Sequence, residues 1–261
     1  KSCKVVTILD NIIPHEKRIG DRLFTKYFIK PVDAFVAMSD AVLEDTKKFN
    51  TWKPRAFCPH PLFDNFGEQV GKKEAKEHLG LDPEENYALF FGFIRDYKGL
   101  DLAISAYAEA GLKGTNYKLL VAGEFYADEE GYMELIREKG VGEQVVLRTD
   151  FIPDGEVKYY FCASDLVVQP YKTATQSGIS QIAYHFNKPM VVTNVGGLPE
   201  IVPDGKVGFV VEKSADAIAG AILRFYREQL EQQFSQEAAR EKEQYSWQRM
   251  VDTIGNLTEE L

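Results

Sequence analysis

The chain has 261 residues, 44% hydrophobic and 27% charged, with a formal net charge of −9 at pH 7. This is an ordinary soluble globular composition, sized for one or two domains, and its acidity argues against nucleic-acid binding or a polybasic membrane face. Three scattered cysteines (Cys3, Cys58, Cys162) without C-x-x-C spacing read as reduced thiols of a cytoplasmic protein, and no apolar run suits a membrane span or signal peptide.

In chain order, Val5–Leu9 reads as a strand, Gly20–Ile29 as a helix and Ala34–Met38 as a second strand. A helix over Ala41–Phe49 follows, capped by Ser39 or Asp40. A strand at the very start, in a chain opening on Lys1, leads to the expectation that something upstream is absent. Residues 50–71 carry Pro54, Pro59 and Pro61 among aromatics and are expected to be an irregular linker, with a domain boundary near Asn65–Gly71.

From Lys72 onward strands and helices alternate. Helix Lys73–Leu79 ends at Gly80. Strands are predicted over Ala88–Gly92, Leu119–Ala122, Val145–Leu147, Leu166–Gln169, Met190–Thr193 and Phe209–Val211. Helices are predicted over Leu100–Glu109, Tyr132–Lys139, Gly155–Cys162, Ser177–Phe186 and Asp216–Phe234. Near-continuous apolar strands separated by helices call for an α/β fold with a doubly wound parallel sheet. The tail, 237–261, reads as a charged helix followed by an amphipathic one after Trp247. No basic amphipathic helix for a membrane surface is evident.

Chemistry concentrates at predicted strand ends. After the strand ending at Phe91, Gly92 permits a sharp turn, and Arg95 and Lys98 follow directly. Two permanent cations where a parallel sheet binds ligands suit a diphosphate; a solvated loop with two surface charges fits the same residues. After Gln169, the run Thr175-Gln176-Ser177-Gly178-Ile179 enters a helix whose free N–H groups suit an anion, although an ordinary N-cap also fits. Thr193 leads into Gly196, Gly197 and Glu200, and Ala122 into Gly123, Glu124 and two aromatics. There is no G-x-x-x-x-G-K-[ST], no G-x-G-x-x-G after a strand, no G-x-S-x-G and no H-x-x-x-H. The four histidines are too scattered for a metal site.

The ordered motifs G-F-I-R-x-Y-K-G-L-D, V-A-G-E, A-S-D-L-V-V-x-P-Y, S-G and P-x-V-V-T-x-V-G-G-L-P-E, from about Tyr87 to Val211, resemble those of glycosyltransferase family 4. The resemblance implies a GT-B fold built from Rossmann-like domains. Residues 1–70 would be the end of an incomplete acceptor-side domain, 71–240 the nucleotide-sugar-binding domain, and 241–261 a helix crossing back.

It further implies a retaining, metal-independent transferase using a UDP- or GDP-sugar as substrate, with no separate cofactor. The acceptor would be a glycan or lipid-linked hydroxyl, with peripheral membrane association through the absent part of the first domain. Carried over by position, Arg95 and Lys98 would stabilise the leaving diphosphate, and Ser177, Gly178 and Ile179 would bind it through their backbone. Phe151 and Ile152 would contact the base, Gly196 and Gly197 would shape the cleft floor, and Gly92, Glu124, Gln176, Gln181 and Glu200 would complete the donor site. Asp10 and His15 would lie on the acceptor side. Ala174 and Ile182 stand where the family usually has two glutamates. That departure leaves open a nucleotide- or sugar-phosphate-binding protein without transferase activity, and a nucleotide-sugar epimerase on the same scaffold.

Overall fold

The computed structural model describes residues 3–13, 20–49, 52–109, 111–126, 128–174 and 177–261. The chain divides into two compact units, one of residues 1–62 with 243–261 and one of residues 63–242.

Among the described residues the larger unit contains six parallel strands: β4 (Asn86–Phe91), β5 (Tyr117–Ala122), β6 (Val145–Arg148), β7 (Leu166–Gln169), β8 (Met190–Thr193) and β9 (Gly208–Val211). They lie in the order β6-β5-β4-β7-β8-β9. Among the described residues α3 (Lys72–Leu79) precedes them, and α4 (Leu100–Tyr107), α5 (Glu129–Lys139), α6 (Asp154–Ala163), α7 (Gly178–His185) and α8 (Leu198–Ile201) connect them. Then come α9 (Ala215–Arg227) and α10 (Glu231–Glu241). β7 and β8 are buried along their whole length, as strands covered on both faces must be. The expected class, a doubly wound Rossmann-like α/β sheet, is the one observed.

α9 begins where Ser214 Oγ accepts the Ala217 N–H at 3.3 Å. It buries Ile218, Ala219, Ala221, Ile222 and Phe225, a helical i, i+3/i+4, i+7 stripe. The single helix expected over Asp216–Phe234 is two. Gln229 takes the left-handed conformation (φ 55°), and Leu230 N–H bonds back to Phe225 O at 3.1 Å. That is a Schellman-type stop, with glutamine in the place usually signalled by Gly or Asn.

At the amino ends of these strands sits a buried charge. Asp165, 1% exposed, accepts from the Tyr87 N–H at 2.7 Å, the Tyr226 hydroxyl at 3.1 Å and Lys72 Nζ at 2.6 Å. Lys72 also pairs with Glu231. One carboxylate thus ties α3, α9 and α10 to the sheet, both of its oxygens accepting hydrogen bonds as burial demands.

The smaller unit is a parallel sheet of β1 (Val6–Leu9), β2 (Ala34–Ala37) and β3 (Arg55–Phe57), in that order. β3 lies in the segment expected to be irregular. Its prolines flank the strand without interrupting it, and pairing with β2 (Phe35 with Arg55, Ala37 with Phe57) overrides the local signal. β2 alternates strictly. Phe35 and Ala37 pack with Leu9, Ile12, Ile29, Val32 and Val42. Ala34 and Val36 pack with Cys58 and with Met250 and Leu257, which lie on α11 (Trp247–Glu259), a helix capped by Ser246.

α1 (Asp21–Ile29) leaves Leu23, Phe24, Tyr27 and Phe28 exposed, with Arg22 and Lys26 beside them. The helix itself is the one expected over Gly20–Ile29; its exposed aromatic residues beside two cations are what the sequence reading lacked. Its composition alone would have suited burial equally well. α2 (Asp40–Lys47) is capped by Ser39 Oγ at 3.2 Å from the Val42 N–H. Among the described residues no helix is long and apolar enough to cross a membrane.

Candidate functional site

The chain runs from β4 outward to β5 and β6, then returns to β4's other side for β7, β8 and β9. β4 and β7 therefore flank the point where the winding reverses, and in sheets of this kind the crevice beyond the strands' carboxyl ends is where ligands bind. Among the described residues, the loops at those ends follow β4 (92–99), β5 (123–126 and 128), β7 (170–174 and 177) and β8 (194–197). These are the stretches in which the sequence concentrates glycine, hydroxyl and cationic residues.

Lys98 closes a single 3-10 turn, Asp96–Lys98, which directs its side chain back toward the end of β4. It is only 9% exposed. A Cβ placed on Gly92 would lie 3.0 Å from Lys98 Nζ and 3.4 Å from Ile179 Cδ1, so β4's end, Lys98 and the start of α7 share one small volume. Lys98 Nζ also lies 6.0 Å from the centroid of the Tyr171 ring, whose hydroxyl is 3.1 Å from Ser177 Oγ. Burial, and secondarily the neighbouring Arg95, lowers the Lys98 ammonium to about 8. Arg95 itself is exposed. Neither cation forms an ion pair among the described residues; the adjacent Asp96 is taken by Lys172 at 2.6 Å, which also reaches Asp101 at 3.1 Å.

Ser177 precedes α7 without capping it through its side chain, because that hydroxyl is held by Tyr171. Among the described residues no side chain caps the helix start, which keeps its free N–H groups and positive dipole end. The close neighbour at Gly178 is the ring of Phe63, 2.8 Å from where a methyl would stand.

The loops also lock to one another. Lys172 N–H donates to Tyr97 O at 2.7 Å, and Thr193 Oγ1 donates to Tyr171 O at 2.6 Å. At Gly196 (φ +54°) a Cβ would fall 1.5 Å from Ala174 O, so this close approach requires glycine.

Of the residues singled out from the sequence, the fold brings together Gly92, Lys98, Ser177 and Ile179, with Arg95 beside Lys98. Glu124 is half-buried after β5, its carbonyl accepting from Ile94 N–H at 2.8 Å. Gly197 leads into α8, with Glu200 in its first turn. Phe151, 67% exposed, and Ile152 follow β6, two strands and about 10 Å from β4. Gln181 is 1% exposed, and its Oε1 is buried without a hydrogen-bond partner among the described residues. Asp10 is exposed at the end of β1 in the smaller unit. Gln176 and His15 lie outside the described residues. Tyr171 escaped the sequence reading as a site residue, although its P-Y motif after a strand end carried the signal. Among the described residues no group of three or more His, Cys, Asp or Glu could hold a metal ion.

Comparison with known proteins identifies the family and the fold. Residues 71–242 match the family described as "Glycosyl transferases group 1". A D-inositol 3-phosphate glycosyltransferase of Segniliparus rotundus is 32% identical over 147 residues, covering 55% of this chain and 32% of that protein. The chain spans about a third to a half of the length of such curated relatives. Among solved structures, Anabaena HepE in complex with UDP superimposes with a TM-score of 0.81 at 17% identity, over 99% of this chain and 72% of that one. The C-terminal domain of LpcC, a group 1 family glycosyl transferase of Francisella tularensis, gives a TM-score of 0.61 at 20% identity, over 70% of this chain and 97% of that one. At these identities the structural likeness speaks to the fold.

Proposed function

Because the chain belongs to the group 1 glycosyl transferases, we propose that the crevice between β4 and β7 seats the diphosphate of a UDP- or GDP-sugar. The protein would transfer that sugar, with retention of configuration, to a hydroxyl of a glycan or lipid-linked acceptor. The larger unit has the Rossmann-like fold of a GT-B C-terminal domain. The observation that carries the reading is Lys98, a buried ammonium at the switch point, beside a second cation and with no acidic partner among the described residues. A buried charge of this kind calls for a counterion, and a diphosphate offers one to Lys98, Arg95 and the start of α7 together.

As the bond from sugar to phosphate breaks, negative charge gathers on the departing diphosphate oxygen. Each well-placed donor aimed at that oxygen is worth about 2–4 kcal/mol of barrier. Phe151 and Ile152 would lie under the base, Gln181 and Glu200 toward the sugar or ribose, and Asp10 and His15 on the acceptor side. The exposed rings of α1, beside Arg22 and Lys26, support contact with a lipid surface. The free, buried thiols of Cys58 and Cys162 suit a reducing, cytoplasmic setting.

UDP or GDP is expected to raise the melting temperature more than ADP or NAD does, since a ligand bound only by the folded state stabilises it by mass action. Arg95→Ala should weaken nucleotide affinity at least tenfold. Flat melting curves with all four nucleotides, or Arg95→Ala affinity equal to wild type, would refute the reading. Affinity should also fall as pH rises through about 8, because the unliganded Lys98 ammonium loses its proton there. Calorimetric titrations between pH 6.5 and 9.5 check this, and a constant affinity would remove Lys98 from the site.

Ala174 and Ile182, where the family usually has carboxylates, favour a second reading, binding without transfer. Incubation with UDP- and GDP-sugars separates the two: sugar release or transfer supports the transferase, and tight binding without turnover supports the alternative.

A further inference from the structure

We infer that Tyr126 is a positioning residue for Arg95, holding its guanidinium ready for the diphosphate without neutralising it. The inference rests on the diphosphate reading of the site. Beyond the ends of β4 and β5 the two chains remain paired: Gly92 N–H donates to Ala122 O at 2.8 Å, Ile94 N–H to Glu124 O at 2.8 Å, and Tyr126 N–H to Ile94 O at 3.0 Å. Ile94 and Phe125 form an isolated parallel bridge, and Ile94 is fully buried. The residue just before Arg95 is therefore fixed directly against the loop that carries Tyr126.

On this frame the Arg95 guanidinium carbon sits 4.1 Å from the centroid of the Tyr126 ring. No carboxylate pairs with Arg95 among the described residues. Tyr126 is 68% exposed, so packing does not account for an aromatic residue there. Its ring face attracts the cation and leaves the five in-plane N–H donors free for bidentate contact with phosphate oxygens. A carboxylate in the same place would occupy those donors and cancel the charge the ligand needs. The ring also restricts a long, exposed side chain to fewer rotamers, so less entropy is lost when the ligand binds.

The test is calorimetric titration with UDP, GDP and inorganic pyrophosphate on wild type, Arg95→Ala, Tyr126→Ala, Tyr126→Phe and the double variant Arg95→Ala/Tyr126→Ala. Tyr126→Ala should weaken binding about fivefold, the scale of a solvent-exposed cation–π contact. Tyr126→Phe should stay within about twofold of wild type, because the ring face remains. Adding Tyr126→Ala to Arg95→Ala should change nothing further, and the Tyr126→Ala melting temperature should match wild type. Equal losses from Tyr126→Ala with and without Arg95, no loss at all, a Phe variant as weak as Ala, or a lowered melting temperature would each overturn the inference while leaving the diphosphate reading standing. An Arg95→Ala variant that binds like wild type would overturn both.

Discussion

Lys98→Met is expected to make the unliganded protein melt roughly 5–10 °C higher at pH 7 while reducing UDP or GDP affinity by more than a hundredfold. The two effects share one cause. The ammonium is 9% exposed and lacks an acidic partner among the described residues, and burial, followed by the Arg95 charge, lowers it to about 8. Keeping it protonated at pH 7 costs the folded state about 3 kcal/mol, and each kilocalorie shifts the melting temperature by about 2–4 °C at this size. Methionine fills much of the same volume without a charge to desolvate.

The pH dependence has a definite sign. Between about 8 and the ordinary lysine value, 10.5, the unfolded chain holds more protons than the folded one. Wild type therefore gains stability as pH rises through that window, and the Met variant lacks this gain. The difference in melting temperature should be complete below pH 8 and shrink toward pH 10. Scanning calorimetry at pH 7 and 10 checks it, and a Met variant melting below wild type at pH 7 would mean that Lys98 stabilises the empty crevice.

The second large effect is expected at Gly99. It has φ +70°, and a Cβ there would fall 1.9 Å from Pro170 O and 3.0 Å from its carbonyl carbon. The left-handed backbone alone costs an alanine about 1 kcal/mol. A clash with main chain cannot be relieved by a rotamer, so the loop after β7 must move, straining the Lys172 N–H to Tyr97 O bond. Gly99→Ala should cost about 3–5 kcal/mol in all and lower the melting temperature by roughly 10 °C. It should weaken nucleotide binding as well, because Lys98 and Tyr171 sit on the two displaced segments. Gly114→Ala is the control: its φ is +75°, but nothing lies within 4 Å of the added methyl. Equal destabilisation by the two substitutions, read from urea unfolding, would show that the approach to Pro170 is not tight.

Much of the larger unit was legible because its strands are short apolar runs between turn residues. Leu166–Gln169 and Met190–Thr193 were read with the bounds observed. β3 was not, because three residues between prolines gain their strand character from pairing with β2. The break at Gln229 was hidden for a related reason. Glutamine carries no stop signal, and the turn is closed by a backbone bond from Leu230 to Phe225. At the crevice, Arg95 and Lys98 could be picked out by residue type, whereas the pairing of Arg95 with Tyr126, 31 positions further on, could not.

By itself the sequence determined the alternation of strand and helix, the glycine-rich turns at strand ends, the cations beside them and the motif order that marks the family. All of these are local, since side-chain periodicity and backbone propensity act over a few residues. Only the tertiary structure decided that β7 returns beside β4, that Lys98 is buried while Arg95 lies exposed against Tyr126, and that α1 turns its aromatic residues outward. Each of those depends on which surfaces meet after the chain has crossed over. Burial, and with it the energy of a charge, is a property of that meeting and not of any one segment.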